Sequence, residues 1–244
     1  MLKKIERFPC RSSVLEFVRN KLGANPIILS SLNLDFNGCS KDFFFRNEHF
    51  LHVSGIENCT GVLLESSING YLIPENNRFL AKLVNHLPKN IPIYFDERHS
   101  AFGRLGSGLL WGFQAHRLNP DFIIYPEPIG NSWILSSDRI SVDEDFLINA
   151  CYTGNFFFAR LSKSLSERSA FVKEVRGRGF LLFIELDRCD PFAVVDAMKG
   201  RFGQDWLEVE DGTLLVVKPP ILSTTHADVI EFEKSLLMVL RELN

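Results

Sequence analysis

The sequence predicts an α/β protein in which a partial large domain, built on a mainly parallel sheet, is followed by a small C-terminal α/β domain. Two observations carry this. From residue 60 to about 140, short apolar runs of strand length alternate with helical pieces, the order that a parallel sheet with crossover helices requires. The 244 residues, 45% of them hydrophobic, suffice for one large α/β domain or for a medium and a small domain sharing an interface.

Along the chain, Ser12 and Ser13 precede Val14, Leu15, Phe17, Val18 and Leu22 at helical spacing, with Gly23 as the stop signal of a short amphipathic helix. Residues 26 to 53 hold two apolar runs, PIILSSLNL and FLHV, around an Asn37-Gly38 turn and the cluster Phe43 to Phe45, and these read as strands. TGVLLES is a buried strand, PENNRFLAKLVNHL a helix beginning near Pro74, and IPIYFDE a second buried strand, which together make a β-α-β unit. After a glycine-rich turn, LLWGFQAHRL reads as a short helix, and PDFIIYP and SWILSS as further strands of the parallel sheet. Asp143 to Val175 is largely helical, with Thr153-Gly154-Asn155 as an interruption. GRGFLLFIEL then opens a C-terminal unit. In that unit a helix from Pro191 to Phe202 precedes the strand TLLVVKP, and THADVIEFEKSLLMVLREL closes the chain as an amphipathic helix capped by Thr224 or Thr225. The expected division is a divergent segment 1–59, a partial large domain 60–155 and a small domain 156–244.

A net charge of -3 gives no electrostatic footprint for nucleic acid, whose binding depends on clustered Lys and Arg. No stretch approaches the roughly 20 apolar residues of a membrane span, and no apolar run follows Lys3 and Lys4 as in a secretion signal. Cys10, Cys39, Cys59, Cys151 and Cys189 are scattered, with no metal-ligand spacing, and are expected as buried free thiols of a cytosolic protein. The 22 phenylalanines call for core burial or a partner surface.

The run IPIYFDERHSAFGRLGSGLLWGFQAHRLNPDFII is similar to a stretch of the class III aminotransferases, in which a buried strand ends in Asp-Glu and is followed by Phe-Gly-Arg-x-Gly, a short aromatic helix and Pro-Asp. VLLESSINGYLIPENNRFLAKL, YTGN, EVRGRGFLLFIEL and VVKPPILSTTHADV resemble flanking elements of that family in the same order, so the likeness spans about residues 60 to 244. The resemblance implies a fold-type I, pyridoxal-phosphate-dependent transferase core and a homodimer or a heteromer with an intact aminotransferase. It places Asp96 where a carboxylate pairs with the pyridinium nitrogen of the cofactor, and His99 beside the ring, where an imidazole could stack or hydrogen-bond. Taken without the resemblance, Asp-Glu after an apolar strand reads as a turn or cap, and a lone histidine as a structural or surface residue.

The same resemblance marks what is missing. Seven residues after Pro120, where the family carries its Schiff-base lysine, stands Glu127, which cannot form an imine. No lysine occurs between Lys89 and Lys163, so a shift of a few residues supplies none. The Gly-Ser-x-Ala phosphate cup has no counterpart beyond a faint echo in VSGIENC, and Cys151 and Val216 stand at positions of a phosphate-binding Thr and a carboxylate-binding Arg. Arg176, Arg178, Gly177, Gly179 and Arg104 remain, and read as structural. The expectation is a pseudoenzyme without cofactor, or with non-covalent pyridoxal phosphate, acting as a partner subunit, regulator or small-molecule binder. The alternative is an aminotransferase-like enzyme with altered chemistry or a site completed by another chain. Asp96 and Glu127 are expected to face one crevice at the C-terminal ends of neighbouring strands.

Overall fold

A computed structural model describes residues 5–24, 26–29, 58–68, 70–73, 79–126, 132–140, 142–168, 170–210 and 212–243. Glu127, Cys39, the Phe43 to Phe45 cluster and the expected strand FLHV lie outside these residues. The chain divides into two compact units: Met1–Ile68, Ile73–Arg98 and Gly112–Ile140 form the first, and Asn69–Leu72, His99–Trp111 and Ser141–Asn244 the second. The expected boundary near residue 156 falls inside a continuous helix.

The first unit is built on a six-stranded sheet of β1 (Ile5–Phe8), β2 (Pro26–Leu29), β3 (Gly61–Glu65), β6 (Ile93–Asp96), β7 (Phe122–Pro126) and β8 (Trp133–Ser136), in the order β1-β8-β7-β6-β3-β2. Two short strands, β4 (Ser67–Ile68) and β5 (Tyr71–Leu72), follow β3 in the chain. β2, β3, β6 and β7 are parallel, as expected, whereas β8 runs antiparallel to β7 and β1 antiparallel to β8. The parallel assignment of SWILSS is therefore corrected. Only six residues separate β7 from β8, too few for the crossover that a parallel neighbour needs.

All five residues of β3 are buried, the mark of a strand covered on both faces. On one face, α1 (Arg11–Leu22) lays Val14, Leu15, Val18 and Leu22 against Leu63, Tyr94, Ile124 and Leu135. On the other, Phe95 meets Phe113 of the short helix α3 (Gly112–Ala115) edge-on at 6.0 Å. The helix α2 (Phe79–Asn85) lies between β3 and β6 in the chain and buries Phe79, Leu80 and Leu83. β1, α1 and β2 thus belong to the first unit, β1 and β2 as strands of its sheet.

In the second unit an antiparallel sheet runs in the order β11 (Leu207–Glu210), β12 (Leu214–Val217), β10 (Leu181–Leu186), β9 (Val172–Arg178). The helices α4 (Glu144–Arg168), α5 (Pro191–Phe202) and α6 (His226–Glu242) share one core with it, in which Phe157, Leu161, Val194, Met198, Phe232 and Leu236 meet Leu182, Ile184, Leu215 and Val217. Thr225 is the N-cap of α6, and its hydroxyl accepts from the Asp228 N–H.

Thr153-Gly154-Asn155 does not interrupt α4, which is continuous through all 25 residues. The glycine serves packing instead: a Cβ at Gly154 would lie 3.1 Å from Phe180 Cδ2 and 3.3 Å from the Gly179 carbonyl carbon. The helix also ends at Arg168, and Val172 to Val175 belong to β9, so the expected helical reading to Val175 is corrected. Val172 and Val175, both β-branched, pack with the sheet core. Among the described residues, no helix is long and apolar enough to cross a membrane, and no group of three His, Cys, Asp or Glu side chains is placed to hold a metal ion.

Candidate functional site

The parallel register of β3 and β6 sets Glu65 beside Asp96, at the C-terminal ends of both strands. Side chains alternate across a sheet, so both carboxyl groups share the face of Leu63 and Tyr94, which α1 covers. Arg11, the first residue of α1, reaches them: its Nη2 donates to Asp96 Oδ2 at 2.7 Å and lies 3.9 Å from Glu65 Oε2. The other Asp96 oxygen, Oδ1, accepts the Arg98 backbone N–H at 3.0 Å. Both carboxyl groups are fully buried, while the Arg11 side chain is 16% exposed and its guanidinium lies 6.0 Å from the Trp133 ring centroid.

Glu97, the next residue, points to the opposite face by the same alternation. It is fully buried and accepts the Gly112 and Phe113 N–H groups at 2.9 and 3.0 Å, which fixes the first turn of α3. Asp-Glu at the end of β6 therefore divides its work, one carboxylate holding Arg11 and the other holding a helix start. The hydroxyls of Ser66 and Ser67, at 2% and 1% exposure, find no hydrogen-bond partner among the described residues. Ser66→Ala is accordingly expected to leave stability unchanged or to raise it by about 1 kcal/mol, because an unsatisfied buried hydroxyl costs that order of energy. A urea midpoint that fell by that much would show that the hydroxyl has a partner.

His99 and the remaining residues singled out in the sequence, Glu127 aside, lie in the second unit. His99 is 1% exposed, with Nε2 3.2 Å from Glu210 Oε2 and its ring edge-on to Phe183 at 5.6 Å. Arg104 donates from Nη1 to the Pro219 carbonyl at 3.0 Å and to that of Phe180 at 3.4 Å, tying its loop to the C-terminal sheet. Burial lowers its guanidinium to about 10, against a smaller opposing effect of Glu208. Cys151 Sγ donates to the Gly106 carbonyl at 3.0 Å, and Asn155 Nδ2 to the same oxygen at 3.3 Å. Val216 is fully buried in β12 among Leu105, Leu181, Phe183 and Leu214, where a charged side chain would be unpaired. Arg176 stacks over Tyr71 at 4.1 Å and donates from Nη1 to the Tyr71 hydroxyl, Glu174 and Glu185, a network that also draws the Glu185 carboxyl below its ordinary range, chiefly through Lys173. A groove of about 390 Å³ lined by Phe156, Arg160, Lys163, Ser164 and Glu233 contains none of the residues expected at the site.

Arg11 is the residue that linear reading missed. A helix start was legible at Ser12 and Ser13, but nothing local ties it to an aspartate 85 residues away. Its neighbour Cys10 is exposed rather than buried, and hydrogen bonds from the Ser12 and then the Ser13 hydroxyl lower its thiol to about 7. Among the other described cysteines Cys59 is buried, and Cys151 and Cys189 are half-buried.

The chain shares its fold with solved aminotransferase structures. Among solved structures, the chain is similar to the ornithine δ-aminotransferase of Plasmodium falciparum (16% identity, 98% of this chain and 74% of that one, TM-score 0.71) and to the acetylornithine aminotransferase of Elizabethkingia anophelis (15%, 98% and 74%, TM-score 0.67). It is likewise similar to a phospholyase from Arthrobacter solved with phosphoethanolamine (16%, 99% and 78%, TM-score 0.64). No protein-family model matches the sequence, and no curated protein matches it. The structural likeness covers nearly the whole chain.

Pyridoxal phosphate, which this fold implies, would need a carboxylate open to its ring nitrogen. Asp96 does not offer one, because the Arg11 guanidinium is already paired with it at 2.7 Å and would set a second cation beside a protonated ring nitrogen. The described residues do not fit the cofactor bound through Asp96.

Proposed function

We propose that this chain is an aminotransferase-fold protein without aminotransferase chemistry, acting as a partner subunit, regulator or small-molecule binder in the cytosol. The observation that carries the reading is the Arg11–Asp96 pair: the carboxylate that would polarise a pyridinium ring is neutralised by the chain's own guanidinium. The absence of lysine between Lys89 and Lys163 agrees with it, since Glu127 has no amine to offer an aldehyde. Fold alone does not supply a reaction once the groups that perform it are gone. Exposed Ile148 and Tyr152, one turn apart on α4, favour association with a second copy or with an intact aminotransferase.

Absorbance of the purified protein with pyridoxal phosphate tests the reading. No visible band that borohydride bleaches is expected, either for the native chain or for Glu127→Lys. One added amine does not restore the anion contacts of the phosphate, each worth about 1.5–3 kcal/mol. A native chain that turned yellow, resisted dialysis and lost its colour with borohydride would replace this reading with the enzymatic one. Light scattering at micromolar concentration is expected to give a mass above the monomer.

A further inference from the structure

Resting on that reading, we infer that Arg11 is a built-in occupant of this site: its guanidinium sits on Asp96 where the planar cation of a ligand would be held. Three observations converge. The position, at the C-terminal ends of the parallel strands β3 and β6, is where open α/β sheets bind ligands. Two fully buried carboxyl groups, in register on one face, approach the same guanidinium nitrogen at 2.7 and 3.9 Å, a geometry that selects a cation. The guanidinium lies 6.0 Å from the Trp133 centroid, as an aromatic or amidinium cation beside an indole would.

The occupant is held firmly. Arg11 opens a helix whose Val14, Val18 and Leu22 are completely buried, so the guanidinium is presented at an effective concentration that a free cation at ordinary levels does not match. The native chain therefore excludes such ligands, and removing the Arg11 side chain opens a gap beside Asp96 for a planar cation, whether a guanidinium or a protonated pyridine ring.

The test titrates two probes, methylguanidinium and pyridoxal phosphate, against the native chain, Arg11→Ala and Arg11→Ala/Asp96→Asn. Thermal shift is read for the first probe, with sodium chloride as the control, and fluorescence of the second. Arg11→Ala is expected to bind at least one probe about tenfold or more tightly than the native chain, the scale of one charge-assisted hydrogen bond, and the double variant is expected to lose that gain. If Arg11→Ala does not fold, Arg11→Gln is titrated in its place under the same criterion. Equal binding of both probes by the native chain and the Arg11 variants overturns the inference, as does a gain that survives Asp96→Asn. A native chain that forms a borohydride-fixed yellow adduct defeats the proposed function instead, whereas a colourless native chain with no gain in the variants defeats only the role given to Arg11.

Discussion

Replacing Gly179 with alanine is expected to lower stability by about 3 kcal/mol or more, the sum of roughly 1–2 kcal/mol for a left-handed non-glycine residue and about 1–3 kcal/mol for overpacking. Gly179 has φ +58°, and a Cβ there would lie 2.4 Å from the Arg104 carbonyl oxygen and 2.5 Å from the Gly106 nitrogen. Both neighbours are backbone, so neither swings aside. The Phe180 N–H donates to that same Arg104 oxygen at 2.7 Å, so a shift that relieved the clash would break a hydrogen bond between the loop of residues 99–111 and the turn before β10. For a chain of this length the melting temperature should fall by on the order of 10 °C. Gly200→Ala in α5, where an added Cβ meets nothing within 4 Å, is the control and is expected to gain up to about 1 kcal/mol from helix propensity. Equal melting temperatures for Gly179→Ala and the native chain would mean that the loop and the turn do not approach as described.

Arg11→Met should cost about 3 kcal/mol in urea unfolding, because it leaves the fully buried Asp96 carboxylate without its cation. The lower end of the range for broken buried pairs applies, since the Arg11 side chain keeps 16% of its exposure and water can partly replace it. The double change Arg11→Met/Asp96→Leu should recover most of the loss, because a buried ion pair and an apolar pair of similar volume differ little in stability. A double-mutant cycle isolates the coupling. Additive losses in the cycle would show that the two groups do not interact, and the site would lose its central contact.

The elements that periodicity marks most strongly were legible in the sequence. TGVLLES, IPIYFDE and PDFIIYP form parallel neighbours, and the C-terminal helix begins at its Thr225 cap, because burial on both faces of a strand and a capping threonine leave local signals. The continuity of α4 through Gly154 was not legible, since propensity counts a mid-helix glycine as a break and only the approach of Phe180 gives it a purpose. The direction of β8 was equally hidden, being settled by a short connection that an apolar run does not announce. Of the candidate site, Asp96 could be named from its motif, but its partner could not.

The sequence by itself determined the α/β class, the strand that ends in Asp96, and the lack of any lysine between Lys89 and Lys163, for these depend on residue identity and on order along the chain. Only the tertiary structure decided that Arg11 holds Asp96, that His99 faces Glu210 and that Val216 is core, for these depend on pairs 85 and 111 residues apart and on strand register. The physical reason is the reach of each interaction. Helix and strand preferences arise within a few residues, whereas the neutralisation of a buried carboxylate depends on which cation the packed chain delivers to within 3 Å of it.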